Sequence, residues 1–348
     1  MTAGAPKPQA ARSPGNPSQS SEVRNAMTVD VEDYFQVQAF AHCVPRADWE
    51  AIEPRVEANV DRILEQFAEA RVRATFFTLG WIAARHPAVV RRIVAAGHEL
   101  ASHGWDHTRA DAQDPVTFRA DIGRTRRTLE DIGGVPVAGY RAATFSIGAR
   151  NLWAFPVLEA EGYRYSSSIN PIRHDLYGMP DAPRGPFRPE GGTLWEIPMT
   201  TVRLAGHNLP CAGGGYFRLL PYGLFRAGLQ RVNRVEGRPG IFYFHPWELD
   251  PAQPRVAGAG WKSTLRHYTN LDRLSGRLDR LLRDFAWARM DQVFLDTPPP
   301  LAPGDRGEGA ARPGGRRPPA GGMEPAGDSR HKAGHNGMEA GPRDVGLA

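Results

Sequence analysis

Between Ala26 and Phe294 the chain alternates repeatedly between two apolar patterns: short, strand-like runs and longer stretches of helical period. Ala26 to Val31 is a short apolar run that ends in carboxylates. "RVEANVDRILEQFAEA" (55–70) then sets Val56, Val60, Ile63, Leu64 and Phe67 at helical spacing. "RATFFTLGWIA" predicts a second strand, and "HPAVVRRIVAAGHEL" a helix opened by Pro87 and closed by Gly97 at the C′ position. "HELASHGWDHT" reads as a short strand running into a polar loop. "DPVTFRADIGRTRRTLEDIGG" predicts a helix from Asp114 to the Gly133–Gly134 stop. "VAGYRAATFSI" continues as strand and loop, "LWAFPVLEAEGYRYSSSI" as helix then strand, and "TLWEIPMTTVRL" as one or two strands. "YGLFRAGLQRVNRVEG" is helical, "GIFYFHPWELD" a strand, "NLDRLSGRLDRLLRDF" a late helix, and "WARMDQVF" closes the folded part. Such alternation implies a parallel α/β sheet with helices outside, a layout in which chemistry gathers where strands end. Three polar clusters sit at such ends: Asp30 to Asp33, His103 to His107, and His245.

A chain of 348 residues, 41% hydrophobic, has enough apolar surface for a large core. The Pro-, Gly- and Ser-rich stretches at its two ends do not. We therefore expect disordered tails at 1–25 and 301–348 around one domain at 26–300. The formal charge of +5 is modest, and the arginines are scattered rather than gathered into a stripe, so a nucleic-acid partner is not expected. Two cysteines, Cys43 and Cys211, exclude a disulfide framework and have no metal-type spacing; two unpaired thiols are expected. No apolar run reaches the length of a membrane span, and no secretory leader is visible, so the expected location is cytoplasmic.

"TVDVEDYF" places Asp30, Glu32 and Asp33 within four positions, and like charges this close require a positive partner or water. In "SHGWDH", His103 and His107 stand at i, i+4, the spacing that brings two imidazoles to one divalent metal, though two solvent-facing histidines have the same spacing. Adding a carboxylate makes a three-ligand site with open positions, the catalytic rather than the structural type. A second, unligated carboxylate is then free for proton transfer. By itself Asp33 reads as an exposed acid beginning a turn. His245, followed by Pro246 and Trp247, reads either as a hydrogen-bonded core histidine or as a proton donor at a cleft, and the second suits its position better. Arg141 in "GYRAAT" is either a surface ion-pair partner or, beside Asp30, the group that keeps that acid ionised.

Together "TVDVEDYF", "ATFFTLG", "GHELASHGWDHT", "GYRAATFSI" and "FYFHP" resemble the polysaccharide deacetylases of carbohydrate esterase family four, the NodB-homology group. "DVEDYF" and the long region between Tyr163 and Gly240 resemble the subgroup associated with exosortase and exopolysaccharide gene clusters. The resemblance implies a distorted (β/α) barrel of about seven strands and a divalent metal, usually zinc. It also implies hydrolytic removal of acetyl from an N-acetylated polysaccharide or oligosaccharide. It casts Asp30 as general base, His103 and His107 as metal ligands, Arg141 as the arginine orienting the base, and His245 as general acid. The family's common pair of adjacent aspartates is interrupted here by Val31. In the Asp-x-Asp variant of the pattern Glu32 becomes the third ligand, with Asp33 as the alternative. Trp195 in "LWEIP" is a candidate for lining the cleft, and Gly213 to Gly215 fit either a lid or a plain turn.

Two other readings use the same residues. An amidase acting on a small non-sugar amide would need the same site. A catalytically idle glycan-binding module would need neither Asp30 nor His245.

Overall fold

The computed structural model describes residues 23–296, so the expected tail segments 1–22 and 301–348, with 297–300, lie outside the described residues. In chain order the strands are β1 (Arg24–Val31), β2 (Thr75–Thr78), β3 (Glu99–Ser102), β4 (Gly139–Tyr140), β5 (Tyr165–Ser166) and β6 (Trp195–Glu196), then β7 (Thr201–Leu204), β8 (His207–Pro210), β9 (Ile241–Phe244) and β10 (Ala286–Ala288). Strand β1 starts at Arg24, two residues before the expected domain boundary. The helices are α1 (Val56–Ala70), α2 (Gly80–Arg85), α3 (Pro87–Ala95), α4 (Pro115–Gly133) and α5 (Ala154–Ala160), then α6 (Gly214–Leu219), α7 (Tyr222–Arg234), α8 (Trp261–Tyr268), α9 (Leu271–Asp284) and α10 (Met290–Phe294).

Strands β9-β1-β2-β3-β4-β5-β6 run side by side in parallel, and β10 pairs with the first residues of β1. This is the expected curled sheet of about seven strands with helices outside. Between β6 and β9 the wall is continued by irregular chain: Cys211 N–H donates to Thr200 C=O, and Gly213 forms a parallel bridge with Tyr243. Strands β7 and β8 form a separate antiparallel hairpin.

The period of two along β1 decides which residues meet which neighbours. Met27, Val29 and Val31 pack outward with Val60, Ile63 and Phe67 of α1 and with Leu274, Leu278 and Leu281 of α9. Ala26, Thr28 and Asp30 therefore point to the opposite, inner face, where Ala26 joins Phe77, Ala101 and Tyr165. A second outer core under α3, α4 and α5 holds Phe118, Ile122, Leu129 and Leu158.

Helix ends follow local chemistry where it is strong. Asp114 accepts the Val116 and Thr117 N–H groups at the start of α4, and Gly134 takes φ 65 at its end. Gly97, at φ 80, follows α3 in the same way. The sequence reading errs in "RATFFTLGWIA": the strand stops at Thr78, and Gly80 opens helix α2, because a short apolar run has no period that separates strand from helix.

Two glycines of the triplet are tightly packed, while a side chain at Gly215 would meet open space. Gly213 precedes α6, and a Cβ there would come within 2.7 Å of the Tyr243 hydroxyl; one at Gly214 would lie 2.5 Å from Glu248 Oε1. Gly214→Ala is accordingly expected to lower stability by roughly 1–3 kcal/mol, the usual range for an overpacked interior, read as a fall in melting temperature. A variant as stable as wild type would show that the Glu248 carboxylate moves aside freely.

Candidate active site

The carboxyl ends of β1, β3, β4 and β9 deliver the polar residues singled out in the sequence. Asp30 ends the inner face of β1, and Arg141, directly after β4, donates from Nη1 to Asp30 Oδ1 at 2.6 Å and to Thr28 Oγ1 at 2.9 Å. Arg141 is fully buried, so the surface ion pair allowed by its sequence is not what it forms. Its Nε donates to Ser167 C=O, and its guanidinium lies 4.0 Å from the Phe77 ring centre.

The Arg141 carbonyl has a separate role. It accepts from His103 Nδ1 at 2.8 Å, which fixes the proton on Nδ1 and leaves the Nε2 lone pair for a ligand. Burial drives the His103 pKa down to about 4, so the ring is neutral, as a metal ligand must be. Glu32 follows the turn after β1, with its N–H bonded to Asp30 C=O. Its Oε2 lies 3.0 Å from His107 Nε2, is buried, and makes no hydrogen bond.

Donor atoms of Glu32, His103 and His107 all fall within 4.8 Å of one another, the one such group among the described residues. Two neutral-type nitrogen donors and an unpartnered carboxylate oxygen fit a divalent cation by softness and by number. Burial alone would raise the Glu32 pKa, but His107 and His245 hold it well below the usual carboxylate range.

His245, at the end of β9, lies on the other side of Glu32, with Nε2 3.3 Å from Oε1. Its Nδ1 pairs with Glu248 Oε1 at 2.9 Å, and Glu248 Oε2 accepts from Arg218 Nε at 2.7 Å. Burial disfavours a charge on His245, yet Glu32 and Glu248 outweigh it and raise the pKa to about 9. Burial likewise opposes ionisation of Glu248, and Arg218 with His245 brings its pKa down to about 2. His245 is therefore an imidazolium oriented by a carboxylate, not a neutral core histidine.

Asp33 is not the exposed turn acid its sequence suggests. It is completely buried, and its Oδ2 accepts the Arg55 N–H at 2.7 Å and the Val56 N–H at 2.9 Å, closing the start of α1. Its Oδ1 is taken by the Tyr34 N–H, so both oxygens are committed away from the histidines. Trp195 is half-buried on β6, with the Arg188 guanidinium over its ring. Sequence reasoning used Trp247 only as a neighbour of His245 and passed over Glu248, Arg218 and His267. Trp247 Nε1 donates to Glu32 Oε1 at 3.3 Å, and its ring stacks between His245 and His267, with centroids 5.2 and 3.9 Å away. The spacing of His245 and Glu248 in "HPWE" was the available signal. Arg218 had none, since it reaches Glu248 from 30 residues away.

Parts of this chain match known proteins. Residues 50–165 match the family model described as Polysaccharide deacetylase, and residues 167–295 match a Domain of unknown function, DUF3473. His103, His107 and Arg141 fall in the first stretch and His245 in the second. The chain is 40% identical over 68 residues to a chitooligosaccharide deacetylase of Rhizobium leguminosarum, covering 20% of this chain and 32% of that protein. It is 49% identical over 97 residues to a chitooligosaccharide deacetylase of Sinorhizobium fredii, covering 28% of this chain and 42% of the other. The chain thus spans less than half the length of these relatives. A crystal structure from Mycobacterium smegmatis, assigned to the polysaccharide deacetylases, has the same fold: TM-score 0.51 at 20% identity, over 81% of this chain and 93% of that one. The polysaccharide deacetylase match thus rests on residues 50–165, and the fold is shared with that crystal structure.

The two neighbouring acids should separate cleanly on mutation. Asp33→Ala strands two N–H groups at the start of α1 and is expected to cost about 2 kcal/mol of stability, with metal content unchanged. Glu32→Gln should lose metal with little change in melting temperature, because an amide oxygen is the poorer ligand. Metal analysis beside thermal denaturation of both variants checks the assignment; the opposite pattern would move the ligand to Asp33.

Proposed function

We propose that this protein is a metal-dependent hydrolase that removes N-acetyl groups from a polysaccharide or its oligosaccharide precursor, with zinc as the ion. The convergence of the Glu32, His103 and His107 donors carries the reading, since a structural role needs no such trio of buried ligand atoms around one unsatisfied carboxylate oxygen. A cation held by these residues would polarise an amide carbonyl and lower the pKa of water.

The chain's own groups supply the proton transfers. Arg141 occupies Asp30 Oδ1, which leaves Oδ2 as the oxygen to take a proton from attacking water. Asp30 is near enough to influence the charge of both His103 and His245, so base and acid flank the same small space. His245 has its Nδ1 proton on Glu248, and its Nε2 proton is the one to pass to the departing amine. Trp247, 5% exposed, walls that side against water. A pure binding module has no use for a base and an acid held at such cost in buried charge. An exopolysaccharide as the polymer is supported by "DVEDYF" and by the length of the segment after Tyr163.

The test is acetate release from an N-acetylated chitooligosaccharide, lost on chelation and regained with zinc. Asp30→Asn is expected to keep the metal and to lower turnover about 10²–10⁴-fold, the range for loss of a general base. Full activity in that variant would sink the mechanism. Release of acyl groups from a small amide, but not from the sugar, would reassign the substrate.

A further inference from the structure

The two histidines of the proposed metal site are separated by Gly104, Trp105 and Asp106, and this turn has an unusual backbone. Gly104 takes φ 78, and His107, a ligand itself, takes φ 60. A left-handed conformation at a non-glycine residue persists only where surrounding contacts fix it. Those contacts come from two helices outside the site. At the start of α2, Gly80 N–H donates to Gly104 C=O at 2.9 Å and Trp81 N–H to Trp105 C=O at 2.8 Å. From α4, Asp121 Oδ1 accepts the Trp105 N–H at 2.8 Å. The Trp105 ring is clamped between Gly80, where any side chain would collide with it, and the Arg124 guanidinium 3.3 Å from its centre.

Of these contacts, the one made by a side chain to the backbone of the turn is that of Asp121. We propose that Asp121 is the positioning residue of the paired histidines: by accepting the Trp105 N–H it holds the turn in the path that aims His103 and His107 at one ion, a reading that rests on the proposed metal site. Asp121 acts on the two histidines through the peptide between them. Supporting groups of this kind typically alter metal affinity 10–100-fold.

The experiment measures zinc affinity of metal-stripped protein by competition with a chromophoric chelator, and records the visible spectrum of the cobalt(II) form. Asp121→Ala is expected to weaken zinc binding at least about tenfold and to change the cobalt spectrum. Asp121→Asn, which keeps an oxygen for the Trp105 N–H, is expected to stay within about threefold of wild type. Asp114→Ala, which removes the cap of the same helix, is the control: its melting temperature should fall while zinc affinity holds. Wild-type affinity in Asp121→Ala overturns the proposal. So does equal weakening in Asp114→Ala, which would mean that α4 merely loosens, or in Asp121→Asn. If Asp121→Ala does not fold, Asp121→Ser, too short to reach the Trp105 N–H, takes its place in the comparison with Asn. Failure of the wild type to bind zinc would sink the metal site itself, an outcome distinct from a wild type that binds and an Asp121→Ala variant that binds equally well.

Discussion

Everything at the carboxyl end of the barrel depends on burying the Arg141 guanidinium. A charge taken wholly out of water costs several kcal/mol unless partners replace the lost hydration. Here Thr28 and Asp30 of β1, Ser167 after β5 and the Phe77 face of β2 do so. Because the inner face of β1 presents Thr28 and Asp30 two residues apart, one arginine can bind both. Once it is fixed, its carbonyl is fixed too, and with it the tautomer of His103. Base and metal ligand are thus oriented by the two ends of a single residue.

The stretch matching the domain of unknown function is an equal contributor to the site. It brings His245, Trp247, Glu248 and Arg218, and Arg218 also ties down the carbonyls of Arg266, His267 and Thr269 at the carboxyl end of α8. An alternation of charges runs from Arg218 through Glu248 and His245 to Glu32. Glu248 is buried between two opposite charges, so its removal leaves both Arg218 and His245 unpaired, a penalty of about 3–5 kcal/mol for such pairs. This half of the site is rigid for the same reason that it is charged.

Much of the fold was legible in the sequence because it is written in local chemistry. Pro87, Asp114, Gly97 and Gly134 mark helix ends whose partners lie within a few residues, and the apolar period of α1 needs no distant help. The outer and inner faces of β1 likewise follow from alternation. What escaped depends on contacts between remote segments. Asp33 looks like a turn acid until Arg55 and Val56 are folded back onto it from 22 and 23 residues away. Gly213 and Gly214 suggest flexibility until Tyr243 and Glu248 fill the space where side chains would be. The grouping of Asp30, Glu32, His103, His107, Arg141 and His245 was legible because α/β architecture gathers strand ends, whichever residues lie between them.

The pairing of β1 with β9 has a consequence for the birth of the molecule on the ribosome. Ala26 to Val29 register against Ile241 to Phe244, more than two hundred residues later. While β2, β3 and β4 are being made and laid down on one side, the other edge of the first strand stays bare, with its amides unpaired. Synthesis at 5–20 residues per second leaves that edge open for roughly ten seconds or more. Closure then has to overcome the entropy of a very long loop in a single step. Slow, late sealing of this kind makes the nascent chain a natural client of chaperones, and it would make a fragment ending near residue 165 a template for aggregation, not a smaller working barrel.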